Sequence, residues 1–166
     1  MRSPARLDKI ASGIETMKIR GAGKIARYAV LALQAVAEES KAKDEEAFVN
    51  ELKAASERLL STRPTAVSLA NSIRYLMHRL NKTCQEGVGL EELRSVAIDA
   101  AKEFVKESNQ AVERIGEIGS RRIRNGDVLM THCQSNAAAA MMKTAWKNGK
   151  RFSVYVTETR PRFQGR

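Results

Sequence analysis

Aromatic side chains are scarce in this sequence, at 5% with a single tryptophan, so any core must be built from Ala, Leu, Ile, Val and Met. Cysteine is nearly absent. Cys84 and Cys133 form no disulfide framework and no paired metal motif, and no cluster of ligands has the spacing of a zinc site. No apolar run is long enough to span a bilayer. The N-terminus turns charged at once and lacks the apolar region of a signal peptide. These absences argue against a membrane partner and lead to the expectation of a cytoplasmic protein with both thiols reduced. What remains is 166 residues, 43% apolar and 29% charged. That suffices for one domain, or for a small domain plus part of another, and it favours packed helices.

The net charge of +10 is unevenly spread. From Ser120 onward there are ten basic residues against Asp127 and Glu158, a net +8, which leaves +2 for the first 119 residues. Such asymmetry fits an anionic partner, or a domain whose balancing acids lie elsewhere. No RNA motif or base-stacking platform accompanies the charge, so nucleic acid is not expected as a partner.

Helical periodicity dominates up to Gly119. Residues 6–19 carry Leu7, Ile10, Ile14 and Met17 on one stripe. A break at Arg20-Gly21-Ala22-Gly23 follows, then a helix with Ile25, Ala29, Leu33, Val36 and Ala37 inward. A third helix, 45–60, points Phe48, Leu52, Ala55 and Leu59 to the core. Pro64 suits the first turn of a fourth, with Val67, Ala70, Ile73, Met77 and Leu80 on one face. A long helix over 90–118 offers Leu93, Val96, Ala100, Phe104, Ala111 and Ile115. This is the pattern of a helical bundle.

The pattern then changes. Residues 127–133 read as a short buried strand, 136–147 as an Ala-rich helix stopped by Asn148-Gly149, and 151–157 as a second strand. Strand, helix, strand is a parallel βαβ unit. The fold class is therefore α+β: an N-terminal helical bundle, residues 1–119, followed in 120–166 by the first βαβ of a truncated Rossmann-like parallel-sheet domain. Two parallel strands do not stand alone, so either downstream sequence or a partner is expected to complete the sheet.

Cys133 falls where the first strand gives way to a helix, the place where open α/β sheets bind ligands. The helix start at Ser135, Asn136 and Ala137 offers free N–H groups and a positive dipole end, which suit a phosphate. A cysteine there is placed to take a proton or act as nucleophile, although most lone cysteines are buried structural thiols. Cys84 reads as structural. His132 is expected to point away from Cys133, because consecutive strand residues face opposite sides. Arg20-Gly-Ala-Gly-Lys24 is neither a Walker nor a dinucleotide fingerprint; it reads as a phosphate-cradling loop or a tight helix–helix turn. Arg63, placed near a helix start where a cation is disfavoured, hints at an anionic partner.

Four segments in this order are more specific than any one of them: Arg20-Gly-Ala-Gly-Lys-Ile-Ala-Arg27, Thr62-Arg-Pro-Thr-Ala-Val67, Thr131-His-Cys-Gln-Ser-Asn136, and Thr157-Glu-Thr-Arg-Pro161 with Gln164-Gly165. Together they resemble the translation initiation factor 2B-like superfamily. That group includes archaeal ribose-1,5-bisphosphate isomerase, methylthioribose-1-phosphate isomerase and the alpha, beta and delta regulatory subunits of initiation factor 2B. The Arg-Gly-Ala-Gly form looks closest to the archaeal isomerase.

The resemblance implies an aldose–ketose isomerase converting ribose 1,5-bisphosphate to ribulose 1,5-bisphosphate in nucleotide (AMP) salvage, with no cofactor or metal and a homo-oligomer formed through the Rossmann-like domain. It implies Cys133 as proton acceptor, and Arg20, Gly21, Ala22, Gly23, Arg63, Ser135, Asn136 and Ala137 as substrate-binding residues. The family's catalytic aspartate lies in a downstream Gly-Ala-Asp segment that nothing here matches, and Asp127 precedes the strand, at the wrong end. The chain is therefore expected to be inactive by itself. The alternative expectation is a non-catalytic regulatory or assembly subunit like the translation-factor relatives.

Overall fold

The computed structural model describes residues 5–160, which divide into two compact units with the boundary between Lys106 and Glu107. The first contains α1 (Ala5–Glu15), α2 (Ala22–Glu39), α3 (Glu45–Thr62), α4 (Val67–Gln85) and the opening turns of α5 (Leu90–Ser120). The second contains the closing turns of α5, then β1 (Val128–His132), α6 (Asn136–Lys147) and β2 (Ser153–Thr157). Among the described residues no helix is long and apolar enough to cross a membrane, and no cluster of acidic, His or Cys side chains could hold a metal ion.

In the first unit α2 is the central element and packs against α1, α3 and α4. Its alanines, Ala29, Ala32 and Ala37, are fully buried beside Val30 and Leu33. Small side chains on this helix let its neighbours approach closely, as ridges seat in shallow grooves. Leu7, Ile10, Ile14, Ile25, Phe48, Leu52, Leu59, Ile73, Leu80, Leu93 and Ala100 join the same core. The α3 start is fixed locally: the Asp44 side chain accepts a bond from the Ala47 N–H at 2.8 Å, and Glu45 and Glu46 sit at the positive dipole end. Arg94 donates to the carbonyls of Ala37 (2.7 Å) and Ser40 (3.1 Å), which satisfies the end of α2, and its guanidinium lies 5.3 Å from the Phe48 ring centroid.

Several elements depart from the periodicity. The first helix stops at Glu15 because Met17 takes φ 61 and Ile19 N–H bonds back to Gly13 carbonyl at 2.7 Å. Pro64 lies in a turn ahead of α4, not within its first turn. The inward face of α4 is accordingly Leu69, Ser72, Ile73, Leu76 and Leu80, while Val67 is 70% exposed, Ala70 is half-buried and Met77 packs only at the core margin. Ala111 and Ile115, expected inward, are exposed; Gly116 and Ser120 are the buried positions of that stretch. A Cβ on Gly119 would lie 2.5 Å from Met141, and one on Gly116 would lie 3.1 Å from the Thr144 hydroxyl, so glycine is what lets α6 lie against α5.

The strands are parallel and in register, Val128 opposite Ser153 through His132 opposite Thr157. β1 is not the buried strand that the sequence suggests. Val128, Met130 and Tyr155 are exposed by about two thirds or more, because the described residues hold only two strands and one helix to shield them. At the amino end of the sheet, Lys150 donates to the carbonyls of Ser120 (2.7 Å) and Ile123 (2.6 Å) and so ties the end of α5 to the loop before β2.

Glu15 at the end of α1 meets Arg58 of α3 at 2.6 Å. The hydrogen bond from Arg58 holds the Glu15 carboxyl below its ordinary range, with desolvation opposing it and the charge of Arg58 adding to it. A depressed folded-state value contributes stability above the unfolded value and loses it as pH falls through the folded one. Comparing thermal midpoints of Glu15→Gln and parent across pH should show a small gap at neutral pH that closes below the ordinary carboxylate range. An equal gap at all pH values would mean that the ion pair is not its source.

Candidate functional site

Arg20 and Gly21 lead into α2, and Ala22 and Gly23 are its first two residues. Gly21 is the N-cap of that helix with φ 87, a conformation that favours glycine, and no side chain caps the helix start. A Cβ on Gly21 would meet nothing within 4 Å, so the glycine is there for its backbone angle. Arg20 and Ala22 are exposed, and Gly23 is half-buried. Lys24, one turn in, lies 5.7 Å from the ring centroid of Tyr28.

Arg63 is the C-cap of α3, and its carbonyl accepts from Ala66 N–H at 3.0 Å. This corrects the electrostatic hint. With α4 starting only at Val67, Arg63 sits at a helix end, where a cation is favoured, and its position alone does not call for an anionic partner. Its side chain is half-buried.

Cys133 lies one residue beyond β1 in the left-handed region, φ 59. A non-glycine residue held there carries backbone strain of about 1 kcal/mol or more. The turn is held on both sides. On one side His132 Nδ1 lies 2.5 Å from Thr157 Oγ1, across the carboxyl ends of the two strands. On the other the Ser135 hydroxyl caps α6 by accepting from Ala138 N–H at 3.3 Å. Ser135 and Asn136 are exposed, and Ala137 is half-buried. Asp127 is at the opposite end of β1, where its carboxylate accepts the Arg124 N–H at 2.7 Å. Glu158 follows β2 at the carboxyl end and meets Arg160 at 2.9 Å. Pro161, Gln164 and Gly165, part of the quoted motif, lie outside the described residues.

The candidate residues thus form two sets. Arg20, Gly21, Ala22, Gly23 and Arg63 belong to the first unit, and Cys133, Ser135, Asn136 and Ala137 belong to the second. A groove of about 540 Å³ in the first unit, walled by Arg6, Lys9, Lys18, Ile19 and Tyr28 among others, includes none of them. The pairing of His132 with Thr157 went unseen in the sequence, because the alternation argument set His132 only against its neighbour. The strand register was the signal that could reveal it. Cys84, read as structural, is exposed at the end of α4.

Residues 18–166 match the model of the initiation factor 2 subunit family. The chain belongs to the initiation factor 2 subunit family. Within it, the chain is 56% identical over 158 residues to ribose 1,5-bisphosphate isomerase of Thermococcus kodakarensis, covering 95% of this chain and 49% of that protein. The chain spans about half the length of the curated relatives it matches. Two solved structures share the fold. The delta subunit of translation initiation factor eIF-2B from A. fulgidus has a TM-score of 0.74 at 28% identity, over 96% of this chain and 48% of that one. The 5-methylthioribose 1-phosphate isomerase from Pyrococcus horikoshii has a TM-score of 0.76 at 29% identity, over 96% of this chain and 46% of that one. The shared fold therefore hosts both an isomerase and an initiation-factor subunit.

Proposed function

We propose that this chain is the substrate-recognising front part of a cytoplasmic isomerase that converts ribose 1,5-bisphosphate to ribulose 1,5-bisphosphate in nucleotide salvage. The observation that carries this reading is the 56% identity to the Thermococcus kodakarensis isomerase over nearly all of the chain. It is twice the identity to the initiation-factor subunit of the same fold.

In this reading Arg20 to Gly23 and Arg63 of the first unit, and Ser135 to Ala137 of the second, are substrate-binding residues, with arginine side chains and helix-start N–H groups suited to phosphate. Cys133 accepts the proton from the carbon next to the reacting carbonyl. Isomerisation also needs an acid for the neighbouring position. Asp127 is at the far end of the strand and Glu158 is engaged with Arg160, so that acid is to be supplied by the rest of the enzyme. The completed domain would then assemble with its like into a homo-oligomer.

Calorimetric titration of the chain with ribose 1,5-bisphosphate tests the recognition half of this proposal. Binding is expected in the parent and weakened by roughly 10–100-fold in Arg63→Ala, the worth of a charge-assisted contact to phosphate. Absence of sugar-phosphate binding, together with stable association with an initiation-factor subunit, would favour the non-catalytic reading instead.

A further inference from the structure

The first unit holds a groove that the candidate site does not use. It has a volume of about 540 Å³ and lies between α1, the turn after it and α2, a size usual for small-molecule sites. Its floor is apolar: Ile10 is buried, and Ile19 and Leu31 are half-buried. The Tyr28 ring lines it and is 36% exposed. Gly13 gives the floor its shape. A Cβ there would lie 2.8 Å from Ile19 Cδ1, so the glycine is what lets Ile19 pack down beside α1. The Ile19 N–H bonds back to the Gly13 carbonyl at 2.7 Å, and Met17 just ahead of it is held at φ 61. Among the described residues Met17 and Cys133 are the non-glycine positions with positive φ. Strain of this kind gathers in segments that hold ligands.

The charge on the groove is of one sign. Arg6, Lys9 and Lys18 line it with exposed side chains, and among the described residues no acid does. The acids of the two helices are placed elsewhere. Glu15 pairs with Arg58, the charge of Asp8 acts on that same guanidinium, and Glu38 and Glu39 lie in the last turn of α2. The neutral polar side chains in the lining are the hydroxyls of Ser12 and Tyr28. A ligand rich in hydroxyls or ring nitrogens would leave them unpaired against the apolar floor. A ligand with one anionic end and a hydrocarbon body would not.

We propose that this groove is a binding site for an amphiphilic carboxylate. Its hydrocarbon body lies on Ile10, Ile19 and Leu31, and its head group sits among Arg6, Lys9 and Lys18. Burial of the body supplies the adhesion, and charge-assisted bonds from the cations set the orientation. The site shares no residue with the substrate contacts proposed above and does not depend on the isomerase reading.

The test is titration of the full chain with octanoate, followed through the isoleucine methyl signals by NMR. Saturable shifts are expected at Ile10 and Ile19, with a dissociation constant of about 1 mM or tighter. Ile123, buried in the second unit, should not move. 1-Octanol has the body without the charge, and acetate has the charge without the body; each should bind about tenfold more weakly or worse. The double variant Lys9→Glu, Lys18→Glu should lose octanoate to a similar degree, and Lys143→Glu, on an exposed lysine of α6, should not. Helical circular dichroism shows whether the double variant keeps its fold, and Lys9→Ala is the milder probe should it fail that check. Absence of a saturable shift would overturn the proposal. So would octanol binding as tightly as octanoate, or an affinity indifferent to the Lys9 and Lys18 exchanges. Shifts at Ile10 and Ile19 produced by ribose 5-phosphate and not by octanoate would overturn it too.

Discussion

Phe48→Ala is expected to destabilise the first unit by about 3–5 kcal/mol, read by urea unfolding followed through helical circular dichroism. Phe48 is fully buried in the core of that unit. Its ring also carries the Arg94 guanidinium at 5.3 Å, and Arg94 in turn closes the end of α2 through the Ala37 and Ser40 carbonyls. Truncation leaves a cavity that the surrounding Leu and Ala side chains fill only in part, and it removes the platform that orients Arg94. Domains of this size are stable by only about 5–15 kcal/mol, so the loss is a large share of the total. Val67→Ala is the matched control: at 70% exposure it should change stability by no more than about 0.5 kcal/mol. A cost at Phe48 below about 1 kcal/mol would mean that the core is not organised around this ring.

Most of the helical unit was legible in the sequence because its signal is a burial stripe repeated every 3.6 residues. Leu7, Ile10 and Ile14, then Ile25, Ala29 and Leu33, fall where that spacing puts them. Legibility failed where a local geometric event resets the phase. The turn at Pro64 delays α4 to Val67, and its inward face takes in Leu69 and Leu76 in place of Val67, Ala70 and Met77, while Ile73 and Leu80 fall where expected. It failed again at Ala111 and Ile115, where apolar type suggested burial but the contact with α6 runs along glycines, which carry no hydrophobic signal. In the candidate site, Gly21 was readable because positive φ has a residue preference. The left-handed backbone of Cys133 was not, since cysteine has no such preference. The electrostatic hint at Arg63 misled because the helix on its N-terminal side, not the one after it, sets the local field.

In an enzyme assembled from this chain and the remaining half of the fold, Cys133→Ala is expected to lower kcat by about 10²–10⁴, the usual worth of a positioned acid–base group. KM for ribose 1,5-bisphosphate should change little, because the proposed phosphate contacts, Arg20, Arg63 and the helix starts at Gly21 and Ser135, are untouched. The chain alone should show no steady turnover under the same assay. Two further substitutions separate chemistry from backbone. Cys133 occupies φ 59, an angle that glycine adopts without strain, so Cys133→Gly relieves the turn while removing the thiol. If the thiol is the proton acceptor, the glycine and alanine variants lose activity alike. If the strained turn were the contribution, glycine would retain activity and alanine would not. Cys84→Ala, exposed at the far end of α4, should leave kcat unchanged, which rules out a general sensitivity to losing a thiol. A Cys133→Ala enzyme with undiminished kcat would remove the catalytic role from this residue and leave the recognition half of the proposal to stand on Arg63.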